Sequence, residues 1–365
     1  MDNQRTILWA LFAAMVFLTW SQWQQDYAPA PPAAPVAVDS TEPAAEPPAA
    51  ELPPGISAAP GATTAPADQA PATAGATQPA ELVKVETDVL SLSIDPVGGT
   101  LVAAELKNYP VDKDQPDIPV QLLDPAIPYE LVSGLVDSRR SGPTHLANLE
   151  PQALAYSLAE GADELLVPLR WSENGVTVDK VFRFHRGRYD ISVDYRIDNQ
   201  SGSEWRALSY QRIRKLHNPP ERSMFDVDSY SYDGPVIYDG EKYDKLDPED
   251  FADEPLDQQL TNGWIASIQH HFLTAAIPPA DDVYSYTASY ENGVATLNAN
   301  GPTLTVPAKS ELVTSEQFFI GPKLQEQLKE TAPGLSLTVD YGVLAILAQP
   351  LFWLLQQVYY CLLYT

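Results

Sequence analysis

The sequence has 365 residues, of which 49 are acidic and 22 are basic, so its formal net charge at pH 7 is -27. A field of this sign repels nucleic acids and anionic lipid head groups, which excludes both as partners of the acidic part of the chain. The only cysteine, Cys361, has no second thiol to pair with in the chain. Any fold therefore rests on packing rather than on intrachain disulfides.

The chain begins with an apolar segment, TILWALFAAMVFLTW at residues 6–20, that contains no charged residue. Extended through the adjoining SQW, it would form a helix of about 27 Å, close to the roughly 30 Å hydrocarbon core of a bilayer. Arg5 precedes the segment and the next basic residue is Lys84, so the positive-inside bias predicts a cytoplasmic amino terminus and a translocated remainder. We predict an uncleaved transmembrane anchor over residues 1–27. The alternative is a signal peptide cleaved after APA at 28–30.

Residues 28–80 are rich in proline and alanine and contain neither an aromatic nor a basic residue. Such a segment cannot bury enough apolar surface to offset the loss of its backbone entropy. We predict a disordered linker that acts as a spacer. A proline-rich ligand for a partner protein is the alternative reading of the same composition.

From Glu81 to about Gly321 the apolar residues recur with a period of two. Leu90, Leu92 and Ile94 alternate on one face, and the strand pattern then turns at Gly98-Gly99. Alternation of this kind is typical of strands with one buried face.

Residues 164–198 are predicted to form three strands, joined by a hairpin turn at Asn174-Gly175 and by a second turn at HRGR. Similar patterns follow as far as FFIGP. Many short strands with tight turns indicate a mainly β protein, built as one large antiparallel β-sandwich. We place this domain at residues 81–334.

One helix is predicted, in PKLQEQLKETAPG at residues 322–334. Pro322 suits a first helical turn, Leu324 and Leu328 would share one face, and Pro333-Gly334 would end the helix.

A second apolar segment lies in residues 335–365, and it carries no charge from Gly342 to Tyr364. Gln349 and Pro350 interrupt it. A β-rich domain offers no surface that could cover such a helix on all sides, so we predict that the segment returns to the membrane, either in the interface or as the start of a spanning helix. The residues that we expect to anchor the chain in the membrane are Ile7, Leu8, Trp9, Leu11, Phe12, Val16, Phe17, Leu18, Trp20, Leu344, Ile346, Leu347, Leu351, Phe352, Trp353, Leu354 and Leu355.

Residues that could carry chemistry form no recognisable site. His270 and His271 are the most metal-like pair, but neighbours in a strand point to opposite faces and cannot share one ion. The carboxylates crowded into residues 226–257 lack the order of a calcium loop and are read as a solvated acidic loop. RIRK at 212–215 is read as an exposed strand face. No phosphate loop or nucleophile motif is present in the sequence, so we expect no enzyme activity, no cofactor and no metal site.

Five stretches of the sequence are informative when taken together. The first is MDNQR with the apolar segment behind it, and the others are TDVLSLSIDPVGGTLVAAELKNYP (87–110) with PVQLLD, GWIASIQHHFLTAAIPP (263–279), FFIGPK (318–323) and LSLTVDYGVLAILAQPLFWLL (335–355). In these stretches and in their order the chain resembles one known family, the YidC membrane protein insertases of Gram-negative bacteria.

The resemblance implies a periplasmic β-supersandwich similar to galactose mutarotases, ending in a helix, with an inner-membrane location. It also implies a function in the insertion, folding and assembly of inner-membrane proteins, alone or with the Sec translocon. The implied partners are inner-membrane protein substrates, the lipid bilayer, the Sec translocon and the SecDF accessory complex. A mutarotase-like fold does not by itself transfer sugar chemistry.

The sequence departs from the family after PLFWLL, where it reads QQVYYCLLYT. Family members continue there into a membrane core of five further helices, whose groove carries an arginine that attracts substrates. The resemblance therefore leads us to expect the anchor and periplasmic portion of an insertase without its groove, as a fragment or a truncated form. Two other hypotheses remain, a stand-alone periplasmic adaptor and a carbohydrate-active protein.

Overall fold

The computed structural model describes residues 81–137, 142–218, 232–248, 250 and 256–339. These residues form two β-sheets that pack face to face. The strands of the first sheet are β1 (Val83–Glu86), β2 (Leu90–Asp95), β3 (Thr100–Asp112), β4 (Gln115–Leu123), β5 (Tyr129–Asp137), β7 (Ala155–Ser157), β11 (Trp205–Leu216), β14 (Leu256–Thr261), β17 (Val283–Glu291) and β18 (Val294–Val306). The strands of the second sheet are β6 (Glu150–Pro151), β8 (Glu164–Glu173), β9 (Val176–His185), β10 (Asp190–Asn199), β12 (Gly234–Tyr238), β13 (Tyr243–Lys245), β15 (Trp264–Ile268), β16 (Phe272–Ile277) and β19 (Ser310–Pro322).

The first sheet has the order β14-β17-β18-β11-β5-β3-β2-β1-β7, with β4 paired to β3. The second has the order β13-β12-β15-β16-β19-β10-β9-β8-β6. Neighbouring strands are antiparallel, except that β1 and β7 run parallel. One continuous apolar core lies between the sheets. The prediction of a mainly β, antiparallel sandwich is confirmed.

The alternation seen in the sequence sets the inner faces of the strands. Leu90, Leu92 and Ile94 are all buried on β2, and the chain then turns through Gly98 and Gly99, both of which have positive φ. A residue other than glycine would be strained in that conformation. The predicted strand and turn are therefore confirmed.

The hairpins predicted within residues 164–198 are also present. The strands β8, β9 and β10 pair in succession, and Asn174 and Gly175 adopt positive φ angles of 52° and 78° in the first turn. Gly187, in the HRGR turn, has a φ of 72°. The turn residues were thus reliable signals, because few residues tolerate these angles.

The predicted helix is present as α1, Gln325–Thr331, and a 3-10 helix follows at Leu335–Thr338. The expectation for Pro322 was wrong, because it is the last residue of β19, where it pairs with Phe272. Leu328 is fully buried, whereas Leu324 precedes the helix and is 39% exposed. Gly334 has a left-handed φ of 72° and directly precedes the 3-10 helix.

Within the described residues, every helix is too short or too polar to cross a bilayer. The predicted anchor and linker at residues 1–80 lie outside the described residues. The same is true of the chain beyond residue 339, and hence of every predicted membrane-anchoring residue.

Candidate functional site

A groove with a volume of about 850 Å³ lies on the outer face of the second sheet. Its floor consists of outward-facing side chains of β9, β10 and β19. Its walls consist of the turn before β15, the residues after β16 and the end of α1. The floor residues are Arg183, Ser192, Asp194, Arg196, Val313 and Ser315, and the main wall residues are Trp264, Ile277, Pro278, Pro279, Ala332 and Pro333.

Strand register determines which side chains form the floor. On β10 the inward residues Val193, Tyr195 and Ile197 belong to the core, so the residues between them face outward. Asp194 lies opposite Ser315 on β19, and Arg196 lies opposite Val313. The polar floor is therefore the reverse side of a well-packed strand pair, which holds its side chains at fixed spacing.

The main wall is fixed by Trp264. Its indole Nε1 donates a hydrogen bond of 2.9 Å to the carbonyl oxygen of Pro333, and its ring stacks on Tyr238 at a centroid distance of 5.3 Å. Gly334 lies against Tyr238 so closely that a Cβ atom there would come within 2.4 Å of the ring. The segment after α1 is thus held against the sheet.

Asp194 and Arg183 form an ion pair at one end of the floor. Arg183 donates to Asp194 at 2.8 Å and to Glu164 at 2.6 Å, and the hydroxyl of Ser315 donates to Asp194 at 2.5 Å. Burial alone would raise the pKa of Asp194, but the hydrogen bonds from Ser315 and Arg183 outweigh it and lower that pKa. Asp194 is therefore an ionised, fully engaged carboxylate rather than a proton donor.

Arg196 differs from Arg183 because it is exposed and forms no ion pair within 4 Å in the part of the chain that the structure describes. Its neighbour across the β9–β10 pair is Asp179, which is held instead by Arg170 at 2.7 Å. The guanidinium group of Arg196 is consequently accessible to a ligand. Apolar walls above one available guanidinium suit an apolar ligand that carries an anionic group.

A second polar cluster is buried in the core between the sheets and consists of Lys180, Glu316 and Tyr195. Burial lowers the pKa of Lys180 to about 8, and burial raises the pKa of Glu316 to about 7. The hydroxyl oxygen of Tyr195 lies 2.8 Å from the hydroxyl of Ser133 and 3.2 Å from the carboxyl of Glu316, so its single proton can be shared with either group. Because these groups are enclosed, the cluster connects the sheets and does not contact a substrate.

The two histidines singled out in the sequence lie elsewhere. The expectation that they occupy one strand was wrong, since His270 and His271 form the turn between β15 and β16. Their ring centroids are 3.9 Å apart, so the argument from opposite faces does not apply. Among the described residues there is no group of three or more potential metal ligands.

The basic run RIRK was expected to be exposed, and this is wrong for Arg212. Arg212 is buried on β11 and donates to the side chain of Asn298 at 2.8 Å. Lys215 forms an ion pair of 3.2 Å with Asp233, which belongs to the acidic segment. Residues 226–231, 249 and 251–255 of that segment lie outside the described residues.

The groove residues were not identified from the sequence. The stretch DISVDYRID does alternate, and its outward positions Ser192, Asp194 and Arg196 could have been read as one polar face. No local pattern indicates that α1 and Trp264 form walls beside that face. Lys180 offered a clearer signal, because it interrupts the inward series Val178 and Phe182.

Comparison with known proteins identifies the family. Residues 82–354 match the family described as the YidC periplasmic domain. Curated relatives include the membrane protein insertase YidC of Thioalkalivibrio sulfidiphilus, 38% identical over 374 residues, and that of Methylococcus capsulatus, 39% identical over 362 residues. Both alignments cover 98% of this chain, but only 65% and 64% of the respective relatives.

Among solved structures, the chain is similar to a galactose mutarotase related enzyme from Lactobacillus acidophilus, with 8% identity and a TM-score of 0.42. That likeness covers 66% of this chain and 97% of the other. A galactose mutarotase-like protein from Clostridium acetobutylicum shows 9% identity and a TM-score of 0.39, covering 64% and 92% of the two chains. The sequence relatives, by contrast, are close enough to decide membership: the chain belongs to the YidC family, and the described sandwich lies within its YidC periplasmic domain.

Proposed function

We propose that this chain takes part in the insertion of membrane proteins at the bacterial inner membrane, with its β-sandwich on the periplasmic side. The observation that carries the proposal is the similarity over 98% of the chain to proteins named membrane protein insertase. The chain spans about 65% of the length of those relatives, so the role assigned here is that of the periplasmic portion. The role is one of binding and assistance, without bond-making chemistry.

The two apolar segments of the sequence support this location. An anchor over residues 1–27 and a membrane-associated segment over 335–365 would hold the domain 81–334 against the outer face of the inner membrane, on the linker 28–80. A domain held there is within reach of polypeptide that emerges on that side. The Sec translocon and SecDF are proposed partners on the basis of the family resemblance.

Crosslinking to newly made membrane proteins tests this function. Stalled ribosomes would carry a single-span membrane protein with a photoreactive side chain in the segment that emerges outside the membrane. Membranes would contain the full 365-residue chain. We expect a crosslinked product between the two proteins.

The matched control is a secreted protein of equal length that lacks a membrane span. Equal crosslinking to both clients, or none to the membrane protein, would contradict the proposed function. Orientation is tested separately by a reporter that is active only outside the cytoplasm, fused after Ala80. The reporter should be active, and an inactive reporter would contradict the periplasmic location.

A further inference from the structure

A small apolar cluster lies on the outer face of the first sheet, separate from the main core. Its buried members are Val132 and Val136 on β5 and Tyr210 on β11. Gly134, between the two valines, has no side chain, and a Cβ atom there would lie 2.9 Å from the carbonyl oxygen of Pro143. The segment 142–149, which we call the strap, therefore passes directly over this face of the sheet.

Backbone hydrogen bonds hold the strap at two points. The amide of Leu135 on β5 donates to the carbonyl of Pro143 at 3.1 Å, and the amide of Gly98 donates to the carbonyl of Ala147 at 2.7 Å. A Cβ atom on Gly98 would lie only 2.4 Å from the backbone of His145. The strap is thus held between β5 and the turn before β3, at a distance that only a glycine in that turn allows.

His145, in the middle of the strap, contacts the apolar cluster through Tyr210. The backbone amide of His145 donates to the hydroxyl oxygen of Tyr210 at 2.9 Å, and the same oxygen lies 2.6 Å from Nδ1 of the His145 ring. Because the hydroxyl already accepts one hydrogen bond, its own proton is available to Nδ1, which accepts it only when that nitrogen carries no proton. The contact is therefore best satisfied by a neutral imidazole.

Two cations lie on the elements around the strap. Arg212 follows Tyr210 on the same face of β11 and is buried, so its charge is poorly screened by solvent. On the other side of the turn before β3, the ammonium group of Lys180 binds the carbonyls of Gly98 and Gly99. His145 itself is only 8% exposed, so a proton on its ring would be both desolvated and repelled.

The carboxylates of the surrounding elements act in the opposite direction. Asp95, the last residue of β2, accepts the amide of Val97 at 2.8 Å, and Asp137 is the last residue of β5. Glu316 lies in the core, where its carboxyl group is 3.2 Å from the hydroxyl of Tyr195. These groups reduce the repulsion from the two cations, but the burial of His145 and its contact with Tyr210 still favour the neutral ring.

We propose that the strap is a pH-sensitive cover of the outer face of the first sheet, which opens more often as the pH falls because the open strap takes up a proton at His145. A histidine in water binds a proton near pH 6.5. Since the closed strap disfavours that proton, its stability is full above about pH 7 and is lost as the pH falls below about 6.5. Opening exposes the apolar cluster to solvent.

Hydrogen exchange of the full chain in phosphatidylcholine nanodiscs, followed by mass spectrometry, tests the proposal. The amides of Leu135 and Gly98 donate to carbonyls of the strap and therefore report on its opening. After correction for the intrinsic pH dependence of exchange, we expect their protection to fall by about ten- to thirtyfold between pH 7.5 and 5.0. The amide of Lys309, which donates to the carbonyl of Asn199 at 2.8 Å, is the reference and should keep its protection.

Two substitutions separate His145 from the other groups that titrate. His145→Asn keeps an acceptor for the hydroxyl of Tyr210 but takes up no proton, so most of the pH dependence should disappear. Tyr210→Phe removes that hydroxyl and should lower the protection of Leu135 and Gly98 at both pH values. The matched control is His185→Asn on β9, which should behave like the unchanged protein.

Constant protection of Leu135 and Gly98 from pH 7.5 to 5.0 in the unchanged protein would overturn the proposal, whether or not the variants fold. An equal fall in the His145→Asn variant would also overturn it, because another group would then be responsible. Neither result depends on the crosslinking experiment, so this inference and the proposed function are tested separately.

Discussion

Lys180 on β9 donates a hydrogen bond of 2.9 Å to the backbone carbonyl of Ser133 on β5, and this bond joins the two sheets across the core. The same ammonium group donates to the carbonyls of Gly98 and Gly99 at 2.9 and 3.0 Å. A lysine ammonium has three donors, so all of them are used. Lys180 therefore holds the turn before β3 against the second sheet.

We predict that Lys180→Met destabilises the domain by about 3–5 kcal/mol at neutral pH, because it leaves three buried carbonyls and the carboxyl of Glu316 without their partner. Urea denaturation of the full chain, followed by tryptophan fluorescence, measures the change. The matched control is Lys113→Met in the exposed turn between β3 and β4, which should cost less than about 0.5 kcal/mol. Equal denaturation midpoints for the two variants would disprove the structural role of Lys180.

The same cluster makes stability depend on pH. Burial raises the pKa of Glu316 from 4.5 to about 7, so its contribution to stability is full below pH 4.5 and is lost as the pH rises to about 7. Burial lowers the pKa of Lys180 from 10.5 to about 8, so its contribution is full above pH 10.5 and is lost as the pH falls to about 8. The two groups together therefore contribute least to the stability of the fold between about pH 7 and 8.

We predict that a double variant, Lys180→Met with Glu316→Gln, lacks this minimum. Each shift corresponds to about 3 kcal/mol at full extent. The difference in unfolding free energy between the double variant and the unchanged protein should therefore vary with pH and change most outside pH 7–8. Urea denaturation at a series of pH values measures it. A difference that stays constant from pH 5 to 10 would show that neither group titrates abnormally.

The sequence predicted the sandwich because its signals are local. Alternation at Leu90, Leu92 and Ile94 and the turn at Asn174-Gly175 depend only on neighbouring residues, and the structure confirms both. Such signals specify strands and hairpins, and a chain with many of them has few architectures available.

The groove could not be predicted in the same way, because it depends on pairings far apart in the sequence. The contacts of Trp264 with Pro333 and of Asp194 with Ser315 can be predicted only when the strand order of the sheet is known. The prediction that His270 and His271 lie within a strand was wrong for a related reason. Periodicity cannot locate the end of a strand to within two residues, and His270 lies just past that end.

We predict that Gly334→Ala destabilises the domain more than its backbone angle alone explains. Its φ is 72°, and an added Cβ would come within 2.4 Å of the ring of Tyr238. Gly161 is a matched control, since its φ is 78° but nothing lies within 4 Å of its Cβ position. Gly161→Ala should cost about 1 kcal/mol from backbone strain.

Gly334→Ala should cost about 1–3 kcal/mol more than this control, because the chain after α1 must move away from Tyr238. Denaturation of both variants under identical conditions gives the difference. Equal costs for the two alanines would mean that the close approach to Tyr238 does not constrain the wall.

The packing of α1 gives a last prediction, in which two leucines of one segment are compared. Leu328 is fully buried, whereas Leu324 is 39% exposed. Leu328→Ala removes its side chain from a packed site and should cost about 2–5 kcal/mol, because a cavity remains. Leu324→Ala should cost less than about 1 kcal/mol, since much of that side chain already contacts water.

Urea denaturation of the two alanine variants measures this difference, and hydrogen exchange shows where it acts. In the Leu328 variant we expect faster exchange of the amide of Ala332, which donates to the carbonyl of Leu328 at the end of the helix. A helix that were merely an exposed extension of the strand would give equal, small effects at both positions. The larger effect at Leu328 would instead establish that α1 is part of the core and can support a wall of the groove.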